Sequence, residues 1–134
     1  PTAFGGTIAH RDEFYITECT WMRKHGWRTP KWKLMIALEP DFHYKPEIEL
    51  YDLENDPKEY VNVADIRPDV VAELRAKMEA HIAKREKETG RTNPMVTNLN
   101  WHGMKLGRGF NSSDEAYNSM HIGDPGAAQR LQQK

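Results

Sequence analysis

Alternation of hydrophobic and polar residues predicts three β-strands in the first half of the chain. The three segments are residues 13–22, 31–38 and 47–53. In the second segment Leu34 and Ile36 fall on the same side of a two-residue period, which is typical of a strand with one buried face. The connections between the segments are short and favour antiparallel neighbours, since parallel strands need a long crossover. Residues 2–9 are predicted to add a short edge strand.

A helix is predicted after the third strand. Pro68 suits the first helical position, where its missing N–H has no helical partner anyway, and Gly90 suits the C-terminal stop. Between them an apolar stripe recurs at steps of three and four residues: Val71, Leu74, Met78 and Ile82. Because such a stripe must be buried against another element, the pattern predicts a small α+β fold, an antiparallel sheet of three to four strands packed by one C-terminal helix.

The last third of the chain shows no periodicity. Large apolar residues are scattered there among glycines, asparagines and serines, whereas a disordered tail usually carries fewer of them. We therefore predict a structured unit over residues 1–94 and an irregular arm over residues 95–134. The arm is expected to lie on another domain or on a neighbouring copy of the chain, and a loose tail is the alternative.

The composition excludes several classes of function. With 19 basic and 20 acidic residues the net charge is −1, so neither nucleic acid nor an anionic membrane is expected as a partner. A single cysteine excludes an internal disulfide and a zinc site built from cysteines. No apolar run approaches the ~18 residues of a membrane span, and a core of this size leaves little room for a deep catalytic pocket. The cellular compartment stays open.

Acidic residues and histidines show no pattern of metal ligands. Asp52, Glu54 and Asp56 alternate like the first ligands of a calcium loop, but Pro57 and Val63 stand where that loop needs glycine and glutamate. The six histidines lack ligand spacing. We predict no metal site in this chain, and we expect the three carboxylates to cap turns and to pair with nearby lysines or arginines.

Four segments occur in a specific order along the chain. Residues 27–34 read WRTPKWKL, residues 39–43 read EPDFH, residues 49–59 read ELYDLENDPKE, and residues 62–64 read NVA before the helix. This series closely resembles the C-terminal subdomain of the sulfatases, in the alkaline phosphatase-like superfamily, and its third segment matches the family pattern E-L-Y-D-L-x-x-D-P-x-E. The EPDFH loop is similar to that of bacterial arylsulfatase-like proteins.

The resemblance implies a supporting part of a sulfuric ester hydrolase. In that family the subdomain is a small antiparallel sheet with a C-terminal helix, docked on an N-terminal catalytic domain that holds the formylglycine and the calcium ion. Cys19 and Arg23 have the spacing of the family's C-x-P-x-R motif, but Trp21 stands in place of the proline, so Cys19 is expected to be a half-buried structural cysteine. No catalytic residue or cofactor is assigned to this chain, and the chain alone is expected to be inactive.

Two predicted connections carry the candidate substrate-binding residues. Residues 23–30 contain Arg23, His25, Trp27 and Arg28, and the next connection contains His43. Cationic groups beside an aromatic ring can hold a sulfate ester or a sugar ring by charge-assisted hydrogen bonds and stacking. The alternative is a solvated connection in which the tryptophan covers the sheet edge.

Two functions remain open on the sequence. The first is the C-terminal subdomain of a sulfatase, which contributes packing and a rim of the substrate pocket, with the catalytic domain as its partner. The second is an independent binding or oligomerisation module, in which the arm over residues 95–134 joins copies of the chain. The substrate is open in either case, because related phosphate and phosphonate hydrolases share the superfamily architecture.

Overall fold

A computed structural model describes residues 11–19, 22–98 and 110–120 of the chain. Within these ranges lie four strands and three helices: β1 (Phe14–Glu18), β2 (Lys24–Arg28), β3 (Trp32–Ala37), β4 (Ile48–Asp52), α1 (Pro68–Thr89), α2 (Pro94–Thr97) and α3 (Ser113–Met120). The strands form one antiparallel sheet in the order β1-β2-β3-β4, as short connections require. The predicted small α+β fold is confirmed.

The core lies between α1 and one face of the sheet, which we call the helix face. Leu34 of β3, Leu50 of β4 and Leu74 of α1 are fully buried there, and each such side chain contributes about 1.5–3 kcal/mol by its removal from water. The predicted apolar stripe of α1 faces this core, although Val70 is buried and Val71 only partly so.

Helix α1 begins and ends where the sequence predicts. Pro68 is its first residue, and Gly90 caps it in the left-handed conformation, with a φ of 66° and its N–H bonded to the carbonyl of Glu86. Glycine reaches this conformation without the steric penalty that other residues incur. In the part of the chain that the structure describes, no helix combines the length and the apolar character that a membrane span needs.

Strand β2 occupies the segment predicted to be a connection, and that prediction is wrong. Gly26 and the basic residues around it are typical of a turn, but Gly26 lies within the sheet, paired with Ile16 and Met35. A Cβ atom at Gly26 would stand 1.7 Å from the carbonyl oxygen of Leu34, so the close approach of β3 requires glycine. The predicted first strand over residues 13–22 is accordingly shorter and ends at Glu18.

Helix α3 lies in the segment predicted to be an irregular arm, and α2 begins one residue before that segment. They are too short to produce a recognisable helical period. Phe110 and Ala116 from this segment are buried with Met22, and Phe42 packs against them, so the described end of the arm contacts the β1–β2 and β3–β4 connections of its own chain. The domain boundary after residue 94 stays a prediction, and the predicted edge strand over residues 2–9 lies outside the described residues.

Candidate functional site on the outer face of the sheet

The alternation of β2 divides the predicted substrate-binding residues between the two sheet faces. His25 and Trp27 lie on the helix face, in register with Ile36 and Leu34 of the core. Arg28 lies on the opposite face, which we call the outer face, and it is exposed. The predicted residues of this segment therefore do not converge on one site.

Arg23, which precedes β2, is buried and bound to its own chain. Its guanidinium Nη1 donates to the carbonyl oxygens of Met95 at 2.8 Å and Val96 at 3.2 Å. Its backbone N–H donates to Glu39 Oε1 at 2.8 Å. These contacts hold the segment that follows α1 against the start of β2. Its contact with a substrate remains a prediction.

His25 belongs to a hydrogen-bonded chain that also holds this segment. Its Nδ1 lies 2.9 Å from the hydroxyl of Tyr15, and Asn93 Nδ2 donates to the same hydroxyl oxygen at 3.0 Å. Since Asn93 supplies the donor to the oxygen, the hydroxyl proton is available to Nδ1, which fits a neutral imidazole. Burial, and then the charge of Arg75, lowers the pKa of His25.

Acid is therefore expected to destabilise the fold through His25. The folded-state pKa lies below the ordinary value of 6.5, so the unfolded chain binds more protons between the two values and stability falls as the pH falls through this window. We expect the urea midpoint of the protein to drop as the pH falls from about 7 through the ordinary histidine pKa of about 6.5, and His25→Gln to reduce that drop. The same replacement at the exposed His43 is the control and should retain it. A midpoint that does not change over this range would contradict the assignment.

The outer face carries a buried ionic cluster that the sequence analysis did not identify. Lys24 Nζ contacts the carboxylates of Asp41 and Glu49, and the Tyr51 hydroxyl donates to Glu49 Oε1 at 2.5 Å. Lys24, Asp41 and Glu49 are 6%, 3% and 3% exposed. Lys45, which is more exposed, reaches Glu49 Oε1 at 3.1 Å.

Burial opposes each charge of the cluster, and the contacts outweigh burial. Desolvation favours neutral Lys24, but its hydrogen bonds to Asp41 and Glu49 raise its pKa. Desolvation likewise favours the protonated acids, but the pKa of Asp41 is lowered mainly by Lys24, and that of Glu49 by Tyr51 and Lys24. The lysine and the two carboxylates are therefore charged at neutral pH. Lys24, Asp41 and Glu49 neutralise one another. Because Asp41 belongs to the loop of residues 39–45 and Lys24 to β2, their contact holds this loop on the sheet.

A cavity of ≈ 380 Å³ opens beside this cluster. Lys33 and the exposed His43 belong to its lining. Lys33 Nζ is 2.7 Å from Glu59 Oε2, and Arg28 lies directly opposite Lys33 in the β2–β3 register. Two of the five predicted residues, Arg28 and His43, thus lie on the accessible side of the outer face. Lys33 was missed because a lone lysine in an alternating strand is indistinguishable from a solvated residue.

Of the three acidic residues predicted to cap turns or to pair with basic residues, Asp52 and Asp56 cap turns, and Glu54 pairs with Lys31, whose Nζ lies 3.2 Å from Glu54 Oε2. Asp52 Oδ1 accepts from the N–H groups of Glu54 and Asn55, each at 3.2 Å, and Asp56 Oδ2 accepts from the N–H of Val61 at 2.9 Å. Over residues 11–19, 22–98 and 110–120, no group of histidine, cysteine or acidic side chains could hold a metal ion.

Asn62 pins the connection between β4 and α1 to the edge of the sheet. Its Oδ1 accepts from the N–H of Leu50 at 2.9 Å and from that of Ala64 at 3.0 Å. Its Nδ2 donates to the carbonyl of Ile48 at 3.0 Å. These bonds satisfy backbone groups that an edge strand otherwise leaves open, so the asparagine has a structural role.

Cys19 follows β1 and is partly buried. Its Sγ lies 3.3 Å from the Sδ of Met95, next to the main-chain groups that Arg23 binds. The half-burial of Cys19 agrees with the prediction, and its structural role stays a prediction.

Comparison with known proteins finds matches among solved structures. No protein-family model and no curated protein matches the chain. The chain is similar to BT4656, solved in complex with its substrate D-glucosamine-2-N,6-O-disulfate, at 22% identity and a TM-score of 0.44 over 66% of this chain and 18% of that chain. It is similar to a protein of Bacteroides thetaiotaomicron VPI-5482 assigned to the sulfatases, at 22% identity and a TM-score of 0.46 over 75% of this chain and 23% of that chain.

A third similar structure is BT1596, a 2-O GAG sulfatase, at 20% identity and a TM-score of 0.45 over 75% of this chain and 25% of that chain. The chain thus spans a quarter or less of the length of these structures. A likeness at this identity and TM-score is partial, and it does not by itself assign the chain to a family.

Proposed function

We propose that the chain is the C-terminal subdomain of a sulfatase, in which it supports an N-terminal catalytic domain and forms part of the rim of the substrate pocket. The observation that carries the proposal is the segment 49–59 together with Asn62. Its residues match the family pattern, and Glu49, Leu50, Asp52, Asp56 and Glu59 each make a defined contact in the fold. A chance match of letters would not be expected to coincide with the residues that build the structure.

The pattern residues build the passage from β4 to α1. Glu49 and Glu59 each pair with a lysine of the sheet, Asp52 and Asp56 cap the turns, and Asn62 fixes the connection on the edge of β4. Each of these side chains is thus engaged in a contact that stabilises the fold. The resemblance is therefore one of fold, which supports a structural subdomain and not a catalytic centre.

The rim is proposed at the accessible side of the outer face, around Arg28 and His43. The guanidinium of Arg28 is exposed and has no hydrogen-bond or ion-pair partner within the described ranges. A guanidinium fork donates well to the oxygens of a sulfate ester. In this role the chain binds and orients the anion, while the chemistry at sulfur belongs to the formylglycine and calcium expected in the catalytic domain.

The coding sequence upstream of Pro1 gives the most direct test. The proposal expects a C-x-P-S-R motif a few hundred residues earlier in the same reading frame, and a start codon immediately before Pro1 would refute it. The isolated chain should show no hydrolysis of an aryl sulfate, with or without calcium. Activity that stays with the chain after contaminating enzymes are removed would contradict this. A stable oligomer that is lost on removal of residues 95–134 would favour the alternative module.

The rim is tested by replacing Arg28 in the longer protein. Arg28→Ala is expected to raise KM by about tenfold, the usual effect of losing a hydrogen bond to a charged group, without a change in the midpoint of thermal unfolding. Lys84→Ala on the exposed side of α1 removes the same charge and is the control. Arg23→Ala should instead lower stability, because Arg23 makes buried contacts within the chain. An unchanged KM in Arg28→Ala would remove Arg28 from the rim.

A further inference from the structure

A second and larger cavity lies on the other side of the molecule. It is a groove of ≈ 1010 Å³ between β1, the C-terminal half of α1 and residues 91–97. It shares no lining residue with the cavity on the outer face. A volume of this order is at the upper end of those found for small-molecule sites.

Several polar side chains that line the groove make no hydrogen bond or ion pair within the described part of the chain. They are the side chains of five lining residues: Thr17, His81, Arg91, Thr92 and Thr97. On the outer face, by contrast, Lys24 and Lys33 are bound to carboxylates. The groove therefore offers hydroxyl and guanidinium groups to a ligand, which the outer cluster does not.

The charge of the groove favours an anion. Two guanidinium groups line it, from Arg85 and Arg91. Arg85 uses one nitrogen, Nη1, to reach Glu88 Oε2 at 2.9 Å, which leaves the rest of its fork available. The carboxylate that lines the groove, Glu86, accepts from the N–H of Asn93 at 2.7 Å.

The wall of the groove is preformed. Asn93 is held by its bonds to Glu86 and to the Tyr15 hydroxyl, and the rings of Tyr15 and His81 are stacked at 5.5 Å. Ile82 and Pro94 add apolar surface to the lining. A site that is ordered before the ligand arrives loses less free energy on binding.

We propose that this groove binds an anionic saccharide. The oxyanion, a sulfate or a carboxylate, would bind at Arg91 and Arg85, the sugar hydroxyls would bond to the threonines, and the C–H surface of the ring would pack on the apolar and aromatic lining. Hydroxyl groups, an oxyanion and apolar C–H faces in one small molecule match the three kinds of surface that line the groove. The proposal does not depend on the sulfatase assignment, since it concerns binding by this chain alone.

Calorimetric titration of the 134-residue chain tests the proposal with four probes. They are a sulfated disaccharide, an unsulfated disaccharide that carries a uronate, neutral cellobiose and inorganic sulfate. We expect both charged disaccharides to bind more tightly than cellobiose and than sulfate alone, and Arg91→Ala to weaken the sulfated disaccharide by about tenfold or more. Lys87→Ala is the matched control: it removes the same charge from the last turn of α1 but does not line the groove, and it should change affinity by less than about twofold.

Three results would overturn the proposal. Cellobiose binding as tightly as the sulfated disaccharide would remove the role of the oxyanion. Equal losses in Arg91→Ala and Lys87→Ala would show a general attraction between charges and not a site. No binding of either charged disaccharide to a chain that keeps its circular dichroism spectrum would exclude the site altogether. None of these results bears on the search for a catalytic motif upstream, so the two proposals fail independently.

Discussion

Replacing Lys24 by methionine is expected to lower the free energy of unfolding by about 3–5 kcal/mol, the effect of leaving a buried charge without its partner. Lys24 is 6% exposed and contacts both Asp41 and Glu49, which are each 3% exposed. Methionine has a similar length and fills the same space, so the loss would report the missing charge and not a cavity. Urea denaturation followed by tryptophan fluorescence measures it.

Lys33→Met is the matched control for Lys24→Met. It removes the same charge from the same sheet face, but the Lys33 and Glu59 side chains are 25% and 31% exposed. Water screens such a pair, and we expect a loss of about 0–1 kcal/mol. Equal losses in the two variants would show that burial of the cluster is not what makes Lys24 important.

Lys24→Met is also expected to disturb the proposed rim. Asp41 links the cluster to the loop that carries His43, because Asp41 Oδ1 accepts from the backbone N–H of His43 at 2.6 Å. Without Lys24, the pKa of Asp41 should rise from its lowered value towards and above the ordinary value of 3.8. Asp41 then no longer loses stability on acidification, because its folded-state pKa no longer lies below its unfolded value, so the stability difference between wild type and variant should shrink as the pH falls towards and below 3.8.

Gly26→Ala is expected to prevent folding, with a loss of more than about 4 kcal/mol, which only a severe steric or electrostatic fault produces. The added Cβ would lie 1.7 Å from the carbonyl oxygen and 2.8 Å from the carbonyl carbon of Leu34. Both atoms belong to the backbone of β3, so relief requires β2 and β3 to separate. Absence of a cooperative unfolding transition, together with a loss of the β-sheet signal in circular dichroism, is the expected result.

Gly90→Ala provides the comparison for Gly26→Ala. Gly90 has a φ of 66° and no atom within 4 Å of an added Cβ, so the penalty is only that of the left-handed conformation, roughly 1–2 kcal/mol. The two variants thus separate the cost of a close backbone approach, at Gly26, from the cost of a left-handed backbone conformation, at Gly90. Unfolding of Gly26→Ala and Gly90→Ala at the same urea concentration would contradict the close approach of the Leu34 carbonyl to Gly26.

The elements that could be predicted depend on neighbours in the sequence. The strands β3 and β4 and the helix α1 have a hydrophobic period that one buried face imposes, and Pro68 and Gly90 mark the helix ends by local backbone chemistry. The caps formed by Asp52 and Asp56 are local too. The period is absent from α2 and α3, which are too short to show one.

Strand β2 could not be predicted, because what stabilises it lies elsewhere in the chain. A lysine buried within a sheet costs free energy because its charge loses water, and the contacts of Lys24 with Asp41 and Glu49 offset that cost. Gly26 is equally misleading, since a glycine that signals a turn by composition here permits the approach of Leu34. Both facts appear only when distant residues are brought together.

The same reason divides the candidate site. By itself the sequence determined the α+β class, the helix with its ends, and the turn-forming segment 49–59 at the end of β4. Each of these rests on short-range periodicity or on local backbone preference. Only the tertiary structure decided that His25 lies against the helix while Arg28 lies on the outer face, and that Arg85 and Arg91 line a groove with Thr17 of β1. The alternation of β2 and the packing of residues 91–97 set those positions, and they depend on pairing between segments far apart in the chain.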